Sequence, residues 1–324
     1  MRNWTLVTGG AGYVGSVVVD ELLARGRSVR VLDSLLHGSV PSLLQVWGKD
    51  RFQFLRGDVR DPGIRKQALE EVDSVIHLAA IVGDPACARD PDLARAVNLE
   101  ATRALLDDVG GAGVQRLLFA STCSNYGKMA DSSVYATEEF ELSPVSLYAE
   151  TKVGAELEVL GRSENSLVTA CLRLATVYGV SPRMRFDLTV NEFTREVALG
   201  ADLIVFGEQF WRPYVHVRDA AMALCTALEA PADEVRGEVF NVGSTDENYR
   251  KLDIVELLKE RVPTAQISFV HKDEDPRDYR VSFEKVKERL GFTPERTVST
   301  GIDEIMALLA SGLLADPYAP AYQN

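Results

Sequence analysis

A chain of 324 residues with 46% hydrophobic content can bury a large core and form two lobes without a long linker. Its net charge of −13 argues against nucleic acid as a partner, because the phosphate backbone attracts basic surfaces. No apolar run reaches membrane length, the first strand starts within a few residues of Met1, and Cys87, Cys123, Cys171 and Cys225 show neither metal-ligand spacing nor disulfide density, so the expectation is a cytoplasmic protein with no metal and no membrane partner.

Trp4-Thr-Leu-Val7 is short, apolar and β-prone, as a buried parallel strand should be. Gly9, Gly12 and Gly15 come directly after it. A helical pattern then runs from Tyr13 through Val17, Val18, Glu21, Leu22 and Leu23 to Arg25, and Gly26 stands where a left-handed C-cap belongs. In this strand, turn and helix the glycines let the backbone approach a phosphate, and the N–H groups of the first helical turn, around Tyr13 and Val14, face the anion. A glycine pattern alone also reads as a tight structural turn; the flanking strand and helix favour the dinucleotide reading. Ser28-Val-Arg-Val-Leu32 is the second strand, with Asp33 at its end about twenty residues after the glycines. An acid there accepts both ribose hydroxyls and repels a 2′-phosphate, and Ser34-Leu-Leu36 brings no arginine to reverse this, so NAD is favoured over NADP. Arg56-Gly-Asp58-Val59 after the third strand offers a carboxylate near an adenine, although Asp58 reads equally as a turn or cap. Ser74 to Ala80 is the fourth strand, and its Leu78-Ala79-Ala80 end leaves room for a ligand over the strand's carboxyl end. His77 reads as a buried structural histidine.

Phe119 to Thr122 is a strand end, and Ser143-Pro144 reads as the N-cap and first position of a helix carrying Tyr148 and Lys152. Their i, i+4 spacing puts phenol and ammonium on one face. A phenol of pKa ~10 is a poor base at neutral pH, but a nearby lysine and a cationic cofactor favour its phenolate. Val239 to Gly243 reads as a late strand of the same sheet.

The segments TGGAGYVG at 8–15, Asp33, GDV at 57–59, HLAA at 77–80, Asn98, STCSNYG at 121–127, YAETK at 148–152, RLATVYG at 173–179, RPYVHVRD at 212–219 and NVGS at 241–244 cover nearly the whole chain. In order and spacing the chain resembles the extended short-chain dehydrogenases/reductases, in the NAD-dependent epimerase/dehydratase branch acting on nucleotide sugars. The resemblance implies an α/β fold: a Rossmann doubly wound parallel sheet over residues 1–179, rejoined by a strand near 236–243, and a smaller α/β substrate-binding lobe over 180–324. It implies that Tyr148 exchanges the proton of a sugar hydroxyl, that Thr122 hydrogen-bonds the same oxygen, that Lys152 also binds the nicotinamide ribose, and that Asn98 belongs to the cofactor side. For the diphosphate of a UDP- or dTDP-sugar it points to Arg212 and Arg277, with Asn191 and Phe206-Gly207 near the phosphates and base. Arg183 and Arg185 read equally as ligands or as surface residues.

Dehydratases of this kind carry Asp-Glu directly after the threonine, and related decarboxylases carry Glu at the second place. This chain has Cys123-Ser124, which disfavours elimination of water. Some related epimerases use a cysteine as base, so Cys123 and Ser124 enter as secondary catalytic candidates. Thr176 stands where relatives commonly have an asparagine that contacts substrate. Relatives also pair two helices per subunit into a four-helix bundle, which implies a homodimer through helices at 92–108 and 145–160. The reading that fits best is C4 epimerisation of a UDP- or dTDP-hexose through a 4-keto sugar. The alternatives are a 4-ketohexose reductase, a C3/C5 epimerase using Cys123, and a non-catalytic NAD(H)-binding regulator.

Overall fold

The computed structural model describes residues 4–38, 40–129, 131, 134–164, 166–272 and 277–324. Seven parallel strands form its central sheet, in the spatial order Glu238–Val242, Val168–Leu174, Arg116–Thr122, Val72–His77, Trp4–Thr8, Ser28–Asp33, Phe52–Arg56. The first strand sits where this order reverses. From it the chain winds outward through Ser28–Asp33 and Phe52–Arg56, then returns to its other side at Val72–His77, with Thr8 registered beside both Leu32 and His77. Ligands of doubly wound sheets bind beyond the carboxyl ends of the strands at such a reversal.

Alternation within the strands divides the core between the two faces of the sheet. Val7, Ile76, Leu118 and Ala170 join the helix residues Val18, Val19, Leu22 and Leu224 in one cluster. Their sequence neighbours Leu6, Val75, Leu117 and Cys171 join Leu105, Val109 and Val159 on the other face. Successive strand residues point to opposite faces, so both registers must be apolar in a doubly covered sheet. A third cluster around Tyr178, Phe186, Val190, Tyr214, Ile254 and Ile302 is the core of the smaller lobe. That lobe carries two sheets of its own, one of Asn248–Arg250, Trp211–His216 and Thr176–Tyr178, the other of Ile267–Val270 and Leu203–Phe206.

The first helix spans Tyr13–Ala24, and Gly26 lies just beyond it at φ +81°. Two helices depart from the sequence reading. The one carrying Tyr148 spans Leu147–Gly161, and its N-cap is Ser146, whose Oγ accepts the Ala149 N–H at 3.3 Å. Ser143 lies outside the helix, and its N–H donates to the backbone carbonyl of Asn125 at 3.0 Å. The expected helix at 92–108 is also interrupted: Pro91–Arg95 and Ala101–Ala112 are α-helical, and Ala96–Glu100 between them is a π-turn, a form frequent at functional sites. Asn98 lies in that turn.

Candidate active site

The glycine turn is built so tightly that only glycine fits. A Cβ on Gly15 would lie 2.1 Å from Gly9 O, and one on Gly9, whose φ is +73°, would lie 2.8 Å from Ala79 N. Gly12 is the N-cap of the helix Tyr13–Ala24 and offers no side chain, so the cap itself leaves the first N–H groups to another acceptor. Such a helix start favours an anion. Asp33 braces the turn: its Oδ2 accepts the Ala11 N–H at 3.0 Å and its Oδ1 the Leu35 N–H at 2.8 Å. Burial raises its carboxyl above the usual range, while these two N–H groups and Arg183 oppose the rise. Each oxygen keeps a lone pair for a ribose hydroxyl.

Along the neighbouring strand ends, the Leu78 N–H reaches Thr8 O at 3.1 Å, the Ala79 N–H reaches Thr8 Oγ1 at 3.3 Å, and Leu78, Ala79 and Ala80 are half-buried at the cleft. Asn98 is buried and clamps the Ile81 peptide, accepting its N–H at 2.8 Å and donating to its carbonyl at 3.0 Å; it also donates to Thr151 Oγ1 at 3.1 Å. It therefore ties the loop after the fourth strand to the helix Leu147–Gly161. Asp58 is half-buried and engaged by Arg60, whose Nη2 lies 2.7 Å away and which holds its carboxyl below the usual range; Val59 is buried in the core. His77 is fully buried between Thr8 and Thr102, and burial brings it down to about 3, so its imidazole is neutral. The glycine cradle, the helix start and Asp33 together fit NAD.

Thr122 ends the strand Arg116–Thr122, and its Oγ1 accepts the Ser124 N–H at 3.1 Å. Tyr148 stands opposite. Burial pushes its phenol well above the ordinary range; the Cys87 thiol and Asp84 add to this, and Arg185 and a hydrogen bond with Thr122 oppose it. Lys152, one turn on, donates to Ala120 O at 2.8 Å and lies 4.5 Å from the centre of the Phe119 ring. Burial brings its ammonium down to about 8. It meets a carbonyl and a ring rather than a carboxylate, a neighbourhood that suits ribose hydroxyls.

Cys123 turns inward: it is 1% exposed, its Sγ donates to Arg173 O at 3.2 Å, and burial pushes the thiol well up. A buried, inward thiol held in its neutral form is a poor base for a substrate carbon. Ser124 is half-buried, and its Oγ accepts from Tyr279 at 3.5 Å.

In the smaller lobe, Thr176 lies at the start of the strand Thr176–Tyr178, half-buried beside Tyr214. Arg212 is buried, with its guanidinium 5.4 Å from the Tyr279 ring centre. Arg277 pairs with Asp84, Nη1 to Oδ2 at 2.8 Å, and Asp84 also accepts from the N-cap hydroxyl of Ser146 at 2.7 Å. Phe206 is 47% exposed, with the Lys272 Nζ 5.4 Å from its ring centre. Asn191 departs from the expectation of a substrate contact. It is fully buried, its Oδ1 accepts the Gly179 N–H at 2.9 Å, and its Nδ2 donates to Tyr13 OH at 3.1 Å and Arg185 O at 2.8 Å. With both ends of the amide in use, Asn191 joins the cofactor turn to the arginine segment. Arg183 and Arg185 are buried rather than on the surface: Arg183 donates to Gln323 O at 2.9 Å, and Arg185 pairs with Asp187 at 2.6 Å.

Residues 5–243 match the model of the NAD dependent epimerase/dehydratase family. This chain belongs to that family. A dTDP-glucose 4,6-dehydratase of an Actinoplanes strain is 32% identical over 318 residues, covering 93% of this chain and 96% of the relative. A UDP-glucose 4-epimerase of Bacillus subtilis is 30% identical over 332 residues, covering 93% and 94%. Among solved structures, the UDP-glucuronic acid 4-epimerase of Bacillus cereus, in complex with UDP-glucuronic acid and NAD, superposes with a TM-score of 0.86 at 25% identity, covering 95% of this chain and 99% of that one. The protein is thus an NAD-dependent enzyme of the extended short-chain dehydrogenase/reductase type, in a family of sugar-nucleotide epimerases and dehydratases.

Some members of the site escape a motif reading. Asp84, Ser146 and Cys87 are ordinary residues in sequence and meet only in the fold. Glu156, 2% exposed behind the strand end, could have been found by extending the Tyr148–Lys152 spacing one more turn. Among the described residues no group of three or more His, Cys, Asp or Glu is arranged to hold a metal ion, and no helix is long and apolar enough to cross a membrane.

Proposed function

We propose that this enzyme epimerises C4 of a UDP- or dTDP-hexose. NAD, when bound, supplies the reversible two-electron acceptor for the C4–H bond. Tyr148 takes the proton of the 4-hydroxyl and returns it after the 4-keto sugar has turned over in the cleft. Thr122 steadies that oxygen. Lys152, an ammonium at neutral pH, holds the ribose hydroxyls, while Gly9, Gly12 and Gly15 admit the pyrophosphate and Asp33 takes the adenosine ribose. Arg212 and Arg277 supply the planar donors that a diphosphate needs, with Arg277 exchanging Asp84 for phosphate.

The observation that carries this reading is the character of the two side chains directly after Thr122. Elimination of water across C5 and C6 needs an acid and a base, and these two positions hold a buried inward thiol and a serine hydroxyl. The test supplies UDP- and dTDP-hexoses carrying deuterium at C4, without added dinucleotide, and reads product stereochemistry by NMR. Inverted product that keeps the label is expected. Washing out of the label, or turnover that begins only when NADH is supplied and consumes it in proportion to product, would replace the epimerase with a ketoreductase. Leu157, 65% exposed on the helix Leu147–Gly161, supports pairing of two subunits through this helix. Light scattering at micromolar concentration should give a dimer, and a monomer would refute it.

A further inference from the structure

Behind the strand end that carries Thr122 lies a buried ion pair outside the chemistry described above. Glu156 and Arg173 are 2% and 4% exposed. Arg173 grips both carboxylate oxygens, with Nη2 to Oε1 at 2.5 Å and Nε to each oxygen at 3.2 Å. Burial alone would lower the Arg173 pKa, but its hydrogen bonds to Glu156 raise it. Burying such a pair costs desolvation that well-packed apolar side chains avoid, so stability alone is a weak reason to have one. What it provides is fixed, two-pronged geometry.

Tyr148, Lys152 and Glu156 stand at i, i+4 and i+8 on one helix, and all three face the same short stretch of strand. Tyr148 meets Thr122, Lys152 donates to Ala120 O at 2.8 Å, and Glu156 Oε2 accepts from Ser121 Oγ at 2.7 Å. Asn125 closes the network from the other side. Its Nδ2 donates to Ser121 Oγ at 3.1 Å and Glu156 Oε2 at 3.4 Å, while its backbone carbonyl accepts the Ser143 N–H at 3.0 Å before the helix. Arg173 in turn donates to Tyr126 OH at 2.9 Å, and Tyr126 donates to Asn241 on the strand Glu238–Val242 at 2.7 Å. The segment that carries the catalytic pair is therefore held before its start and one turn beyond Lys152.

We infer that Glu156, clamped by Arg173, is a positioning residue that fixes the height of Tyr148 and Lys152 against the strand end Ala120–Thr122. The inference rests on the assignment of Tyr148 to the 4-hydroxyl proton. A misplacement of about 1 Å costs up to ~100-fold in rate, so a helix free to slide would lower turnover while leaving the nucleotide site intact.

The test replaces the whole pair by apolar side chains, Glu156→Leu with Arg173→Met, and in a second variant removes only the strand contact, Ser121→Ala. For the double variant we expect a thermal midpoint near that of the wild type, kcat lowered by about tenfold or more, and KM for the sugar nucleotide unchanged within about twofold. Amide exchange at residues 145–152 should quicken in NAD-stripped protein. Ser121→Ala, which keeps the ion pair, should show the same split more weakly, and it carries the test if the double variant does not fold. Wild-type kcat together with wild-type exchange at 145–152 in either folded variant would overturn the inference. If the wild type turns over no sugar nucleotide, the proposed function fails, and the exchange measurement still decides this inference.

Discussion

The two ends of the helix Leu147–Gly161 handle buried charge in opposite ways. Toward the carboxyl end, Arg173 faces Glu156 and every prong of the pair is met by protein. One turn toward the amino end, Lys152 is equally buried at 3% exposed, yet it meets a carbonyl and an aromatic ring, and burial brings it down to about 8. A cation whose partner is built in serves the fold, and one left short of a counter-charge awaits a ligand. The same division separates the lobes: Asn191 is spent on Tyr13, Gly179 and Arg185, whereas the N-cap Gly12 leaves its helix start without a side-chain acceptor.

Tyr148→Phe strikes the ligand-facing end hardest. Removing a positioned acid-base should lower turnover on the order of 10²–10⁴-fold. Tyr148 is half-buried, and loss of its hydroxyl leaves the packing of the ring unchanged, so the thermal midpoint and the NAD content of the purified protein should stay at wild-type levels. Steady-state kinetics and release of dinucleotide on denaturation check both halves. Turnover within a few-fold of wild type would remove Tyr148 from the chemistry and leave the helix with no ligand-facing end.

How far the sequence alone anticipates this arrangement depends on how local each interaction is. The glycine turn, Asp33 and the Tyr148–Lys152 spacing are legible because backbone sterics and helical period act over a few residues. The start of the helix Leu147–Gly161 is not, since Ser143 and Ser146 are both acceptable caps and the sequence does not say which of them accepts the first N–H groups. Asn191 reads as a ligand because its partner Tyr13 lies 178 positions away. Arg183 reads equally as a ligand or a surface residue because Gln323, which accepts from it, is near the carboxyl end of the chain. Cys123 sits beside Thr122 in sequence, yet it lies past the strand end in the tight turn Cys123–Tyr126, and its thiol faces inward to the Arg173 carbonyl. The motifs legible in the sequence are local, whereas Asn191 and Arg183 meet partners far along the chain.

Lys152→Met sharpens the comparison in the opposite direction, since it should abolish turnover and yet stabilise the NAD-free fold. The ammonium titrates at about 8 in the fold against ~10.4 in an unfolded chain, so below pH 8 the fold carries a desolvation penalty that the unfolded chain does not. At ~1.4 kcal/mol per pK unit the penalty is at most about 3 kcal/mol, and loss of the Ala120 and Phe119 contacts reduces the gain from removing it. As pH rises from about 8, the folded protein releases this proton before the unfolded chain does, and the penalty shrinks. It is gone above ~10.4, where both states are neutral. Denaturant unfolding of NAD-stripped wild type and variant across this range should therefore show the variant more stable at pH 7 and the two converging toward pH 10. A variant less stable at pH 7 would mean that the carbonyl and the ring already satisfy the ammonium, and that Lys152 belongs with Arg173 among the cations the fold keeps for itself.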